Sequence, residues 1–259
     1  MNSILKTFSW LLWRDVREIT KALKSKIVDS IIWPVSTVVV SGFILTSMGM
    51  PAGYGIFMLI GCIIAICIWD SSADASALST DLSGEKKISY ELTLPLTYWL
   101  VYLRVALTIA IKAMAFNFIT LPIGLLFVST ELHLLQFNPI KFVIAYIISN
   151  IFIGAFTTYT VIITKNVTSY NSFWMRYGSL LFSFSGFQFS WTTLSQIYPT
   201  LAKINLLNPF VYTFESLRNA TMGPAETINF WYCILALTIF TFIFLYIGIK
   251  TFKKRLDCI

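Results

Sequence analysis

The chain of 259 residues is too apolar for a water-soluble domain, because 57% of its residues are hydrophobic, only 12% are charged, and its mean hydropathy is +0.75. Soluble domains carry about 25% charged residues. The 19 Lys and Arg residues exceed the 12 Asp and Glu residues and leave a net charge of +7. They are grouped between long apolar runs, which excludes intrinsic disorder, a nucleic-acid-binding groove and a secreted disulfide scaffold.

The first 30 residues predict an amphipathic helix. Apolar residues recur at spacings of three and four from Ile4 to Ile27, while basic residues such as Arg14 and Lys21 point elsewhere. We expect this helix to lie at the cytoplasmic membrane surface, where each basic residue adds about 1 kcal/mol of attraction to anionic lipid. The alternative is a basic arm whose only role is to set the topology.

Six apolar segments follow, and each is a candidate membrane span, because about 20 apolar residues cross a hydrocarbon layer of about 30 Å. They cover residues 31–46, 54–69, 101–128, 142–163, 173–191 and 230–249. The expected fold is an all-α membrane protein with six transmembrane helices, formed by one domain over residues 1–259.

The positions of Lys and Arg predict the orientation of these spans. Basic residues concentrate in the N-terminal arm, in the loops after the second and fourth spans, and in the C-terminal tail, and the other side keeps only Lys141, Lys203 and Arg218. Positive segments resist translocation. We therefore expect a multi-pass protein of the cell (inner) membrane with both termini in the cytoplasm.

The loop over residues 71–98 predicts a short helix across the cytoplasmic base of the protein. A turn at Gly84 is followed by charged residues and then by apolar residues up to Pro95, which ends a helix at the residue before it. Such a helix could dock in a groove of a cytosolic partner. The alternative is a solvated loop with balanced charge.

Lys112 interrupts the third apolar segment. A lysine at the centre of a membrane helix costs about 2.5 to 3.5 kcal/mol, so we expect it to face protein or water. Together with Asn117 it could line a transport pathway. Extension of its side chain to the membrane surface explains it almost as well if the third span starts late.

The external segment over residues 192–229 is mostly apolar and too short to span the membrane. Breaks at Pro199 and at Asn208–Pro209 predict a re-entrant helical hairpin before the last span, with a helix start at Asn208. Glu215 and Arg218 are three residues apart on that helix and can pair. The alternative is that this pair only neutralises two charges at the membrane surface.

Two of these segments resemble a known family. The stretch LNPFVYTFESLR, from Leu207 to Arg218, resembles the asparagine–proline segment before the last span in membrane subunits of type-2 ATP-binding-cassette (ABC) exporters. The loop GEKKISYELTLPL, from Gly84 to Leu96, is similar to the cytoplasmic coupling segment of that family. The family often has Arg-Gly-Thr at the start of this segment, whereas here Gly84 is followed by Glu85 and Lys86.

The resemblance implies a permease subunit that forms a pathway with a second copy or a homologous subunit, surrounded by membrane lipid. Separate cytosolic ATPase subunits would hold ATP and Mg²⁺, and the substrate would be lipid-like, a glycan or an amphipathic drug. It also implies that the following residues contact or position the ATPase: Gly84, Glu85, Lys86, Lys87, Tyr90, Glu91, Leu94 and Pro95.

The chain lacks a G-x-x-x-x-G-K-[ST] loop, and its single His133 has no Cys or second His nearby. We therefore expect no catalytic, cofactor or metal site, and a transport subunit instead of an enzyme. Two alternatives stay open. A secondary transporter would carry acidic residues near the membrane centre, and a membrane enzyme would need clustered acids, of which Asp70 and Asp74 are the only close pair.

Overall fold

The computed structural model describes residues 2–51, 53–85, 87–91, 93–127, 136–225 and 227–256, and no strand occurs among them. Turns of the wider π-helix continue three of the helices at Val40–Ile44, Asp81–Glu85 and Trp174–Gly178. In chain order, the helices are α1 (Asn2–Val39), α2 (Leu45–Ser47), α3 (Tyr54–Thr80), α4 (Lys87–Glu91), α5 (Tyr98–Asn117), α6 (Thr120–Phe127), α7 (Pro139–Ile163), α8 (Val167–Phe173), α9 (Ser179–Ser183), α10 (Trp191–Ile197), α11 (Pro199–Asn205), α12 (Pro209–Met222) and α13 (Phe230–Leu256).

Four stretches of helix among the described residues are long and apolar enough to cross a membrane, which is consistent with a multi-pass membrane protein. They are Tyr54–Thr80, Tyr98–Phe127, Pro139–Ile163 and Phe230–Arg255. They coincide with the second, third, fourth and sixth predicted spans, although residue 128 of the third lies outside the described residues.

The other two predicted spans take less regular forms. The first corresponds to a shorter apolar helix, Ile31–Ser47. The fifth begins in α8, passes through the π-turn into α9 and leaves the helix after Ser183. The count of six spans therefore stays a prediction.

The predicted lead helix is continuous with the first apolar segment, because α1 runs through residue 30 without a break and contains Pro34. Its N-terminal half has two different faces. Trp10 and Trp13 are exposed, whereas Asp15 and Ile19 are buried against the rest of the protein. A buried acid on a helix rich in basic residues indicates a specific polar partner.

Small residues let the central helices approach closely. A methyl group added at Gly154 of α7 would collide with the backbone oxygen of Ala106 in α5, and one added at Gly248 of α13 would collide with the hydroxyl of Tyr102. Glycine at such contacts is typical of helix packing in membranes. The helix α3 lies at the centre of the bundle, with all residues from Met58 to Ile68 buried.

The helices define two ends of the molecule. At the basic end, the last turns of α7 and α13 meet, where Arg255 donates from its Nη1 to the backbone oxygen of Thr164 (2.8 Å) and from its Nη2 to that of Lys165 (3.0 Å). These bonds satisfy carbonyl groups that a helix end leaves free. At the opposite end, called the loop end, the N–H groups of Gln136 and Asn138 donate to backbone oxygens in the last turn of α12 (2.9 and 2.8 Å).

Candidate functional site

The loop between α3 and α5 contains the short helix that the sequence predicts. The Asp81 carboxylate accepts a hydrogen bond from the N–H of Ile88 (3.1 Å) and so holds the start of α4. The N–H groups of Thr93 and Leu94 close the other end by donating to Tyr90 and Glu91 (3.0 and 3.2 Å). The chain then becomes irregular up to α5, as expected around a proline.

The predicted ATPase-contact residues of this loop do not share one face. Lys86 lies outside the described residues, as do the side chains of Glu85 and Lys87. Gly84, Tyr90 and Pro95 are exposed and Leu94 is half-buried, whereas Glu91 is only 1% exposed. The Glu91 side chain therefore faces the protein interior and does not lie on the exposed surface of the loop.

Glu91 belongs to a set of four charged residues from three segments, called here the buried charge cluster: Arg14, Asp15, Glu91 and Arg104. The two terminal nitrogens of Arg104 donate to Asp15 and Glu91, one to each. Arg14 donates to the other oxygens of both carboxylates (3.0 Å each), and Thr108 adds a hydroxyl donor to Asp15 (2.9 Å). The cluster joins α1, α4 and α5.

Two positive and two negative charges make the buried charge cluster neutral. Asp15, Glu91 and Arg104 are all buried, and charges removed from water need partners of opposite sign with good hydrogen bonds. The sequence analysis did not find this cluster, because partners such as Asp15 and Arg104 are 89 residues apart. The available signal was weak: an acid on a basic helix and an arginine in the second turn of an apolar one.

A second polar contact joins α3 and α5 further along the bundle. Lys112 forms an ion pair with Asp74, and the Asn117 side chain donates to Asp70 (3.0 Å). Lys26 of α1 also approaches Asp70 (3.9 Å). Lys112 therefore faces protein, as expected, and it lies about 21 Å from the start of α5 at 1.5 Å per residue. A late start of the third span and a pathway role for Lys112 and Asn117 both stay predictions.

The predicted helix start at Asn208 is confirmed. Its side-chain oxygen accepts from the N–H of Phe210 (3.1 Å), its amide donates to the backbone oxygen of Leu181 (2.7 Å), and Pro209 occupies the first turn. The helix α12 is buried over nearly its whole length. It contacts α3, α7 and α13, so it forms part of the core at the loop end.

Glu215 and Arg218 lie on α12 with their nearest charged atoms 4.0 Å apart, and neither is exposed at the surface. The pair therefore forms inside the protein, and its position relative to the membrane surface stays a prediction. Glu215 accepts from the backbone N–H groups of Trp191 (2.9 Å) and Ile228 (3.1 Å). Burial raises the pKa of the Glu215 carboxyl, and Arg218 and these two N–H donors oppose that rise.

Arg218 binds the irregular backbone between α9 and α10. Its guanidinium donates to the backbone oxygens of Gly186 and Phe187, the latter at 2.7 Å, and it lies 3.5 Å from the centre of the Phe57 ring. Burial lowers the pKa of Arg218 to about 10, so it stays charged at neutral pH. The Glu215–Arg218 pair thus holds the starts of α10 and α13 and the turn before α10 in place.

No protein-family model, curated protein or solved structure matches this sequence. Within the described ranges, no group of three or more His, Cys, Asp and Glu side chains is placed to hold a metal ion. His133 lies outside those ranges.

Proposed function

We propose that this chain is the permease subunit of an ATP-driven exporter of the type-2 ABC class. It would pair with a second copy or a homologous subunit and with separate cytosolic ATPase chains that hold ATP and Mg²⁺. The proposal includes six spans in the inner membrane, both termini in the cytoplasm and a re-entrant segment formed by α10 to α12. Its substrate class is lipid-like, glycan or amphipathic drug, and membrane lipid surrounds it.

The observation that carries this proposal is the attachment of α4 to α1 and α5 through the buried charge cluster. Separation of one partner from a buried ion pair costs about 3 to 5 kcal/mol. A push on α4 from below would therefore move α1 and α5 with it, which is what coupling to an ATPase requires. Glu91 acts in this proposal as a positioning residue, and the exposed surface at Gly84, Tyr90 and Pro95 is the docking face.

The order of the elements supports the same function. A basic helix leads into an apolar helix, a short helix follows the second apolar helix, and three short helices precede the last one. The basic end carries Arg14, Lys165, Lys253 and Arg255, which favours the cytoplasmic side.

The α10–α12 region supports a re-entrant segment. Irregular backbone at membrane depth is tolerated only where protein or a water-filled cavity covers it. The Glu215–Arg218 pair satisfies the backbone between α9 and α10 and before α13 from within the protein.

The proposal is tested by purifying the chain from its native membrane and measuring Mg-ATP hydrolysis by the chain that comes with it. Tyr90→Ala removes the largest exposed side chain of α4 and should abolish both co-purification and the associated hydrolysis. Tyr232→Ala is a matched control, because Tyr232 is equally exposed (68% against 67%) but lies at the loop end. We expect this control to behave like the unmodified chain.

A secondary transporter is the alternative that the polar contacts of Asp70, Asp74, Lys112 and Asn117 favour, since acidic residues within a helical bundle often bind coupling ions. The two functions differ in reconstituted vesicles. Transport by the purified chain alone, driven by an ion gradient, would contradict the exporter. Transport that requires ATP and a second chain would support it.

A further inference from the structure

A cavity of about 480 Å³ lies between α1, α3 and α5 next to the buried charge cluster. Sites for small molecules measure about 300 to 1,000 Å³. One wall extends along α5 from Arg104 to Phe116, a distance of about 18 Å at 1.5 Å per residue. The cavity therefore begins among charged residues at the basic end and reaches the apolar part of the third span.

The cavity has apolar walls on two helices. The lining includes Ile19 of α1 and, on α5, Val105, Ile109 and Phe116. Hydrocarbon chains are held by such surfaces without directional contacts. An occupant with an apolar part would place that part along α5 toward Phe116.

The α5 wall also presents hydrogen-bond donors without acceptors. Lys112 lines the cavity and its side chain is 33% exposed. Its ammonium has three N–H donors, of which Asp74 takes one. An occupant that supplies acceptor oxygens would satisfy the remaining donors.

The α1 wall presents the opposite chemistry. Glu18 lines the cavity, and its carboxylate forms no hydrogen bond or ion pair with the described residues. Asp15 lies one turn before it on the same wall. A positively charged group of an occupant would therefore be attracted to α1, and its acceptor oxygens would face the donors of α5.

We propose that this cavity binds a zwitterionic phospholipid whose headgroup carries an ammonium group. The phosphate oxygens face Lys112 on α5, the ammonium group faces Glu18 on α1, and an acyl chain lies along Ile109 and Phe116. This site does not depend on the exporter function, because it is inferred from the walls of the cavity alone.

The first test compares three ligands on the delipidated full-length chain in detergent, with binding measured by native mass spectrometry. They are a short-chain phosphatidylethanolamine, a phosphatidylglycerol with the same chains but no ammonium group, and soluble glycerophosphoethanolamine. We expect phosphatidylethanolamine to bind up to about five-fold more tightly than phosphatidylglycerol, since one exposed ion pair contributes up to about 1 kcal/mol. It should also bind more tightly than the soluble headgroup, which has no acyl chain to bury. Equal binding of phosphatidylglycerol, or of the soluble headgroup, would overturn the proposal.

Two variants locate the site. Glu18→Gln removes an exposed charge that has no partner among the described residues, so the fold should be unaffected, and binding of phosphatidylethanolamine should weaken about five-fold. Lys21→Gln, one turn further along the exposed side of α1 and outside the cavity wall, is the matched control and should bind as the unmodified chain does. Unchanged binding in Glu18→Gln, or equal weakening in the control, would place the lipid elsewhere.

The phosphate contact is tested with the double variant Asp74→Asn/Lys112→Met, which removes an ion pair as a unit and leaves no unpaired charge. We expect it to weaken phosphatidylethanolamine and phosphatidylglycerol alike, because both carry the phosphate. Retained binding of both lipids, in protein that elutes as a single species, would contradict the assigned orientation.

Discussion

The buried charge cluster at the basic end and the Glu215–Arg218 pair at the loop end satisfy buried charges in different ways. In the cluster, carboxylates and guanidinium groups bind one another across three segments. In the pair, the two charged groups are 4.0 Å apart and bind mostly backbone N–H and C=O groups. The first arrangement joins helices to one another, and the second holds chain that is not helical.

The difference follows from the backbone at each end. The charged side chains of the cluster on α1 and α5 lie within long helices that satisfy their own N–H and C=O groups, so these side chains bind one another. Between α9 and α10 and before α13 the chain turns repeatedly, and buried backbone groups without partners are costly. The charges of α12 stabilise that irregular chain. Substitutions at Arg218 and Arg104 test whether the two ends respond as differently as their contacts indicate, and a further set compares two helix starts.

The largest effect is expected for Arg218→Gln. This change frees the backbone oxygens of Gly186 and Phe187 and leaves Glu215 without its cation, so the free energy of unfolding should fall by about 3 to 5 kcal/mol. Denaturant unfolding in detergent measures it. Lys203→Gln is the control, because Lys203 is exposed on α11. A loss no larger than that of the control would show that the guanidinium does not hold the turn.

The two ends should differ in how a second substitution acts. Arg104→Gln should lower the free energy of unfolding by about 3 kcal/mol. Addition of Glu91→Gln should restore at least half of that loss, because one positive and one negative charge then remain in the cluster. Addition of Glu215→Gln to Arg218→Gln should recover nothing, because an amide has one acceptor oxygen and one of the two backbone N–H groups loses its partner. Double-mutant cycles measure both recoveries. If the second substitution recovered the same free energy of unfolding at both ends, the two ends would not differ in how they satisfy buried charges.

The smallest effect is expected at the two Asn–Pro helix starts. Asn208→Ala removes a cap and a second hydrogen bond to Leu181 and should cost about 1 to 2 kcal/mol. Asn138→Ala removes only the cap of α7, where the side chain accepts from Lys141 (3.0 Å), and should cost about half as much. Thermal unfolding of the two variants under the same conditions shows which of them loses more stability. A reversed order would mean that the Leu181 contact contributes little.

Local features of this protein were predictable from the sequence. The helix start at Asn208, the short helix before Pro95 and four of the apolar spans follow from residue order, because capping, proline geometry and span length act over a few residues. The partners of Asp15 and Arg104 were not predictable, since ion pairs between distant segments depend on how helices pack.

The residues after Tyr90 illustrate the limit of local reasoning. The pattern of α4 predicts a helix but not which face it buries, and Glu91, which was predicted among the ATPase-coupling residues, binds Arg14 and Arg104 inside the chain. A helix of five residues is too short for its apolar period to define a face.

The sequence by itself determined that the chain is helical and suited to a membrane, because hydrophobicity and charge are sums over residues. It also determined that Glu215 and Arg218 can pair, since three residues separate them on one helix. Only the tertiary structure decided that this pair is buried and holds backbone, that Lys112 meets Asp74, and that Asp15, Glu91 and Arg104 meet at the basic end. Contacts of this kind arise when helices pack, and packing depends on all the faces at once.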